Sequence, residues 1–80
     1  MLREYLHTAM NMAHYEILED DGTHVGTIPG FQGVYANAAT LEACRTELEE
    51  VVEEWLFLHI SRGLSVPVLN GIQLVVKEVV

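Results

Sequence analysis

Apolar residues near the start of the chain recur at every third or fourth position, which is the spacing of one face of an α-helix. The residues that share this face are Leu2, Tyr5, Leu6, Ala9 and Ala13. The spacing predicts a helix that runs to Asn11 or Met12. From His14 to Glu19 the alternation changes to every second residue, which is typical of a β-strand. A strand therefore follows the first helix.

Turn-forming residues divide the next part of the chain into short strands. Asp20-Asp21-Gly22 favours a tight turn, and we expect a second strand, Thr23 to Ile28, to pair back on the first. One proline and two glycines between residues 29 and 33 interrupt the chain again. Val34 to Ala36 then predicts a third strand. The three strands together indicate an antiparallel meander.

A long amphipathic helix follows the meander. Thr40 is a suitable N-cap, because its hydroxyl can accept a hydrogen bond from the first helical turn, and Gly63 is placed to end the helix in a left-handed cap. The apolar stripe between them contains Leu41, Cys44, Leu48, Val51 or Val52, Trp55 and His59. Beyond Pro67, the β-branched run from Ile72 to Val80 predicts a last strand. The sequence therefore predicts one α+β domain over residues 1–80, with a helix, three strands, a helix packed on the sheet and a strand.

Acidic residues dominate the charge of the chain. Its 12 acidic and 4 basic residues give a net charge of -8, which is the wrong sign for attraction to phosphates. We expect no direct nucleic-acid partner and instead expect attraction to a basic protein. The predicted binding face consists of Glu49, Glu50, Glu53 and Glu54. The alternative interpretation is that these residues form an ordinary solvated helix face, which keeps a hydrophobic chain in solution.

The chain is more apolar than one small core requires. Half of its 80 residues are hydrophobic, and its mean hydropathy is +0.22. The four residues from Trp55 to Leu58 are apolar on every side of the long helix. We therefore expect a homodimer or homotetramer, with an interface formed by Tyr5, Leu6, Leu56 and Phe57. The alternative is that these side chains are simply core.

Several features indicate a protein that stays in the cytoplasm. The longest uninterrupted apolar stretch is Trp55 to Leu58, far short of the roughly 20 residues that a membrane-spanning helix needs. The charged residues Arg3 and Glu4 argue against a signal peptide. Cys44 is the only cysteine, so it cannot form an internal disulfide. We expect it to be buried and unreactive.

Candidate catalytic groups are present but have simpler explanations. The carboxylates Glu16, Glu19, Asp20 and Asp21 suggest a metal site, but most of them lie at a turn where Asp and Gly are favoured for backbone reasons. The histidines His7, His14, His24 and His59 contain no pair four residues apart, so zinc binding would need distant residues to converge. His14 and His24 would meet only if they lie opposite each other in the hairpin. We expect no enzymatic activity, no metal and no cofactor.

Three segments follow one another in the order and spacing of a known family. They are His14 to Gly22, Ile28-Pro29-Gly30-Phe31-Gln32-Gly33-Val34, and Thr40-Leu41-Glu42-Ala43-Cys44. Together they resemble the HicB-like antitoxins, and the resemblance covers nearly the whole chain. It implies a truncated RNase H-like fold and a role in neutralising HicA, a small basic toxin that cleaves mRNA.

The DNA-binding domain that many HicB proteins carry is not expected within these 80 residues. Two other hypotheses remain beside the antitoxin. One is an orphan domain that associates only with itself, and the other is a metal-dependent nuclease or hydrolase with a residual RNase H-like site.

Overall fold

The structure is a computed structural model that describes residues 2–69 of the chain. Its elements are α1 (Leu2–Asn11), β1 (His14–Ile17), β2 (His24–Thr27), β3 (Tyr35–Ala38) and α2 (Leu41–Ser61). This order confirms the predicted α+β class. The predicted last strand, Ile72 to Val80, lies outside the described residues.

The three strands form one antiparallel sheet in the order β1-β2-β3, as the turn residues predicted. Each strand has four residues, so β1 and β2 are shorter than their sequence patterns. β3 begins one residue later than predicted and continues to Ala38. The reason is that the Val34 N–H donates to the Phe31 carbonyl at 3.3 Å, which holds Val34 in the preceding turn.

The acidic turn between β1 and β2 is held by its own hydrogen bonds. The Asp21 carboxylate accepts from the backbone N–H of Thr23 at 3.0 Å and from its hydroxyl at 2.7 Å. These bonds lower the pKa of Asp21, because they stabilise the charged form. Gly22 has a φ of 70°, a conformation that glycine adopts without strain. The predicted turn chemistry therefore accounts for these residues.

Both predicted caps of α2 are confirmed. The Thr40 hydroxyl accepts from the Ala43 N–H at 3.1 Å, which satisfies one amide of the first turn. At the other end Gly63 has a φ of 68°. Its N–H donates to the Ile60 carbonyl at 3.1 Å, and the Leu64 N–H donates to the His59 carbonyl at 2.8 Å. This pair of bonds is a Schellman motif.

The core lies between α2 and one face of the sheet. Along α2 the fully buried side chains are Cys44, Leu48, Val52 and Leu56. The predicted stripe is confirmed at the first three of these, whereas Leu41 is exposed and Trp55 and His59 are only partly buried. On the sheet, Tyr15, Gly26 and Ala36 form the cross-strand row that faces the helix, and the last two of these residues are small. The opposite face of the sheet is largely exposed, as Tyr35 and Thr27 show. One face of the sheet is therefore covered by the helix.

Two of the predicted interface residues belong to this core instead. Tyr5 is fully buried, stacks edge-on against Phe31 with a centroid distance of 6.4 Å, and donates its hydroxyl hydrogen to the Pro67 carbonyl. Leu56 is 2 % exposed. The prediction that they face another subunit is corrected for these two residues, because Tyr5 lies on the inward side of the first helix and Leu56 on the buried side of α2. Leu6 is half-buried and Phe57 is exposed.

Gly26 permits the close approach of α2 to the sheet. A Cβ at this position would lie 2.9 Å from Cε1 of Tyr15 and 3.2 Å from Cδ2 of Leu48. The first distance is shorter than a normal carbon contact, and the second leaves little room for adjustment. The space that a side chain would occupy is filled by Tyr15 and Leu48.

We predict that Gly26→Ala lowers the free energy of unfolding by about 1–3 kcal/mol, because the new methyl group overpacks the core. The measurement is urea unfolding followed by circular dichroism. In a Tyr15→Ala background the same change should cost clearly less, since the nearest atom is removed. An equal cost in both backgrounds would contradict the steric explanation.

Candidate protein-binding surface

The outward side of α2 carries a continuous row of carboxylates. The exposed residues Glu49, Glu50, Glu53 and Glu54 lie on the side of the helix that does not contain the buried stripe. Glu49 with Glu53 and Glu50 with Glu54 are spaced four residues apart, so each pair consists of neighbours of like charge. We name these four residues the acidic face. All four side chains are exposed, and none of them belongs to the core of the described part of the chain.

An exposed aromatic side chain stands at the C-terminal end of the acidic face. Phe57 is 70 % exposed and follows Glu53 by four residues and Glu54 by three, so it lies on the same side of α2 as both. Leu58, the next residue, is also exposed. From the sequence, we expected other residues to cover Trp55 to Leu58 on every side of the helix. The described residues leave the side chains of Phe57 and Leu58 exposed to solvent.

A small cavity opens beside Phe57. It has a volume of about 360 Å³ and is lined by Leu2, Glu53, Leu56, Phe57, Ile60 and Ser61. We name it the apolar cavity, because four of these six side chains are aliphatic or aromatic. Leu2 and Ile60 were not predicted as site residues from the sequence. Periodicity placed Leu2 on the apolar face of α1, but only the tertiary fold brings it to the end of α2.

A second groove runs between the two helices and lies next to the apolar cavity. It has a volume of about 530 Å³, and Leu2 and Glu53 line both spaces. Its other lining residues are Arg3, Leu6, His7, Met10, Arg45 and Glu49. Charges of both signs therefore face this groove, whereas Glu53 is the one charged residue among the described residues that line the apolar cavity.

The groups considered for metal chemistry do not come together in the described part of the chain. Among residues 2–69, no three His, Cys, Asp or Glu side chains are placed to hold a metal ion. His14 lies opposite Thr27 and His24 lies opposite Ile17. The condition under which His14 and His24 would meet is therefore not fulfilled, because the register places them at opposite ends of the hairpin.

His59 has a structural role within α2. Its ring stacks on that of Trp55 with a centroid distance of 3.7 Å, and its Nδ1 lies 3.0 Å from the Trp55 carbonyl oxygen. Since a carbonyl can only accept, Nδ1 carries the hydrogen. The stack also contacts Phe31, whose ring centroid is 5.0 Å from that of Trp55. These contacts close the core at the end of the helix.

Cys44 is enclosed between α2 and the sheet. Its side chain is fully buried, and its Sγ lies 3.6 Å from the Ala36 carbonyl oxygen, to which it can donate. Burial raises the pKa of the thiol, and the negative charge of Glu47 raises it further. Because the thiolate is the reactive form, the surroundings of Cys44 oppose a nucleophilic role.

The comparisons with known proteins agree with this fold. The family model described as UPF0150-like matches residues 4–67, and the chain belongs to this family. The crystal structure of TTHA0281 from Thermus thermophilus is similar, with 32 % sequence identity and a TM-score of 0.88 over 96 % of this chain and 95 % of that chain. A search of curated proteins gave no match. Among the described residues, no helix has the length and apolar character that a membrane span requires.

We predict that the Cys44 thiol of the native protein reacts with a water-soluble disulfide reagent much more slowly than that of the urea-unfolded chain. The physical reason is that the reagent reaches the buried sulfur only when the structure opens. The measurement is the rate of absorbance change at neutral pH in the two states. Equal rates would show that Cys44 is accessible and would contradict its place in the core.

Proposed function

We propose that this domain is a non-enzymatic antitoxin that binds and neutralises a small basic toxin of the HicA type. The observation that carries the proposal is the acidic face of α2, which is exposed and not used by the core. The resemblance to HicB-like antitoxins and the membership in the UPF0150-like family support the same function. Because such a toxin cleaves mRNA, the domain would act in the cytoplasm.

The electrostatics of the acidic face suit a basic protein partner. Its like-charged neighbours disfavour the isolated helix by a few tenths of a kcal/mol per pair, and α2 contains no Lys and only one Arg, which is Arg45. A partner that brings Lys or Arg would relieve this repulsion. The net charge of -8 would also accelerate the encounter with a basic protein. Neutralisation would follow when the bound domain covers the toxin's active surface.

Self-association is the second candidate function. Leu6 is half-buried in the groove between the two helices, Phe57 is exposed on α2, and aromatic residues are enriched in protein interfaces. A homodimer or homotetramer could form there with or without a toxin. A metal-dependent nuclease or hydrolase has less support, because Asp21 is engaged in the hairpin turn.

The proposal predicts that the domain binds and inactivates a small basic protein encoded beside it. Changing Glu49, Glu50, Glu53 and Glu54 together to glutamine should slow association about tenfold or more and weaken its salt dependence. The measurement is binding kinetics at low and high salt, together with RNA cleavage by the partner. A matched control changes Glu4, Glu16 and Glu19 to glutamine and Asp20 to asparagine, which removes the same amount of charge elsewhere.

Two outcomes would contradict the proposal. If the control variant weakens binding as strongly as the acidic-face variant, total charge and not this face attracts the partner. If the unaltered domain neither binds the neighbouring protein nor protects RNA from it, the antitoxin function is wrong.

A further inference from the structure

We infer that the apolar cavity beside Phe57 receives one apolar side chain of the basic partner and so anchors it to the acidic face. This inference rests on the proposed function and specifies where the partner is held. The anchoring side chain would be aliphatic or aromatic, and Lys or Arg would lie within one helical turn of it.

The shape of the cavity fits an anchor. It is lined by the buried Leu56 together with the apolar side chains of Leu2, Phe57 and Ile60. Its volume of about 360 Å³ is at the lower end of the range for pockets that enclose small ligands. Side chains that fill such pockets dominate the affinity of protein interfaces, because water is excluded around them.

The charge around the cavity selects the partner. Glu53 lines the cavity, and Glu54 lies beside it in the sequence, one turn before Phe57 and Leu58. A basic segment would bring its cations to these carboxylates as its apolar side chain enters. A second copy docking here would bring its own Glu53 and Glu54 close to the first pair, which is unfavourable. The carboxylates therefore favour a basic partner over a second copy.

The two features would control different steps of binding. Long-range attraction by the acidic face determines how fast the partner arrives, and this attraction is screened by salt. The apolar cavity acts only on contact, so it determines how slowly the partner leaves. Phe57, which is 70 % exposed, would be largely covered in the complex. This role in binding would explain why such a large apolar side chain is exposed in the free domain.

The test uses two synthetic helical peptides of alanine and lysine, one of which has a single phenylalanine at its centre in place of an alanine. Each peptide is titrated into the isotope-labelled full chain, and the changes in amide chemical shifts give both the binding site and the affinity. We expect the phenylalanine peptide to bind about tenfold more tightly, because its ring enters the cavity. The largest differences between the peptides should appear at Leu2, Phe57 and Ile60.

Four variants make the test specific. Phe57→Ala opens the cavity and Ser61→Trp fills it, and either change should remove the difference between the peptides. Tyr35→Ala removes an aromatic ring with similar exposure, 64 %, from the other side of the sheet and should leave the difference intact. Glu53→Gln should weaken both peptides, since it removes a charge that both of them meet.

Several results would overturn the inference. Equal affinity of the two peptides, or shifts that centre on another surface, would show that the cavity is not an anchor even though the acidic face binds cations. If light scattering shows an oligomer that Phe57→Ala dissociates, the cavity is occupied by a second copy. If neither peptide binds at low salt, the acidic face itself does not attract basic partners and the proposed function fails as well.

Discussion

Leu48 of α2 and the ring of Tyr15 both reach into the space that a side chain at position 26 would fill. Because Gly26 leaves this space open, the helix can lie close to the middle strand and bury its stripe against the sheet. The rest of the described fold depends on this contact. It fixes the rotation of α2 about its own axis, and this rotation decides which residues of the helix face solvent.

The two sides of α2 therefore have separate roles in our account. The inner side, represented by Cys44, Leu48 and Val52, is buried and holds the sheet. The outer side carries carboxylates that repel one another and gain nothing from the core. At the end of the helix the outer side becomes apolar at Phe57, beside a cavity that α1 helps to form. This combination of charge and exposed apolar surface is what binding to a basic protein requires, since charge governs encounter and apolar contact governs residence.

Local features of the fold could be predicted from the sequence because they depend on neighbours in the chain. Periodicity identified α1 and the meander, and the roles of Thr40 and Gly63 follow from the chemistry of helix caps. The acidic face could also be predicted, since helical spacing alone separates it from the apolar stripe.

Features that depend on distant contacts could not be predicted in this way. Spacing places Tyr5 and Leu2 on the same side of α1, but only packing against Phe31 and Pro67 decides that Tyr5 is buried while Leu2 remains open. The separation of His14 and His24 follows from the register of the hairpin. The apolar cavity is lined by Leu2 of α1 and by residues 53–61 of α2, a proximity that no local pattern encodes.

The central claim is that the acidic face serves binding and not folding, and the stability of the domain without it tests this claim most directly. The measurement is the free energy of unfolding in urea of the variant in which Glu49, Glu50, Glu53 and Glu54 are glutamine. Our account predicts a value equal to that of the unaltered domain or higher by up to about 1 kcal/mol, because two like-charged pairs are removed. A decrease of more than about 1 kcal/mol, beyond what exposed substitutions normally cause, would show that the carboxylates are part of the structure and would contradict the account.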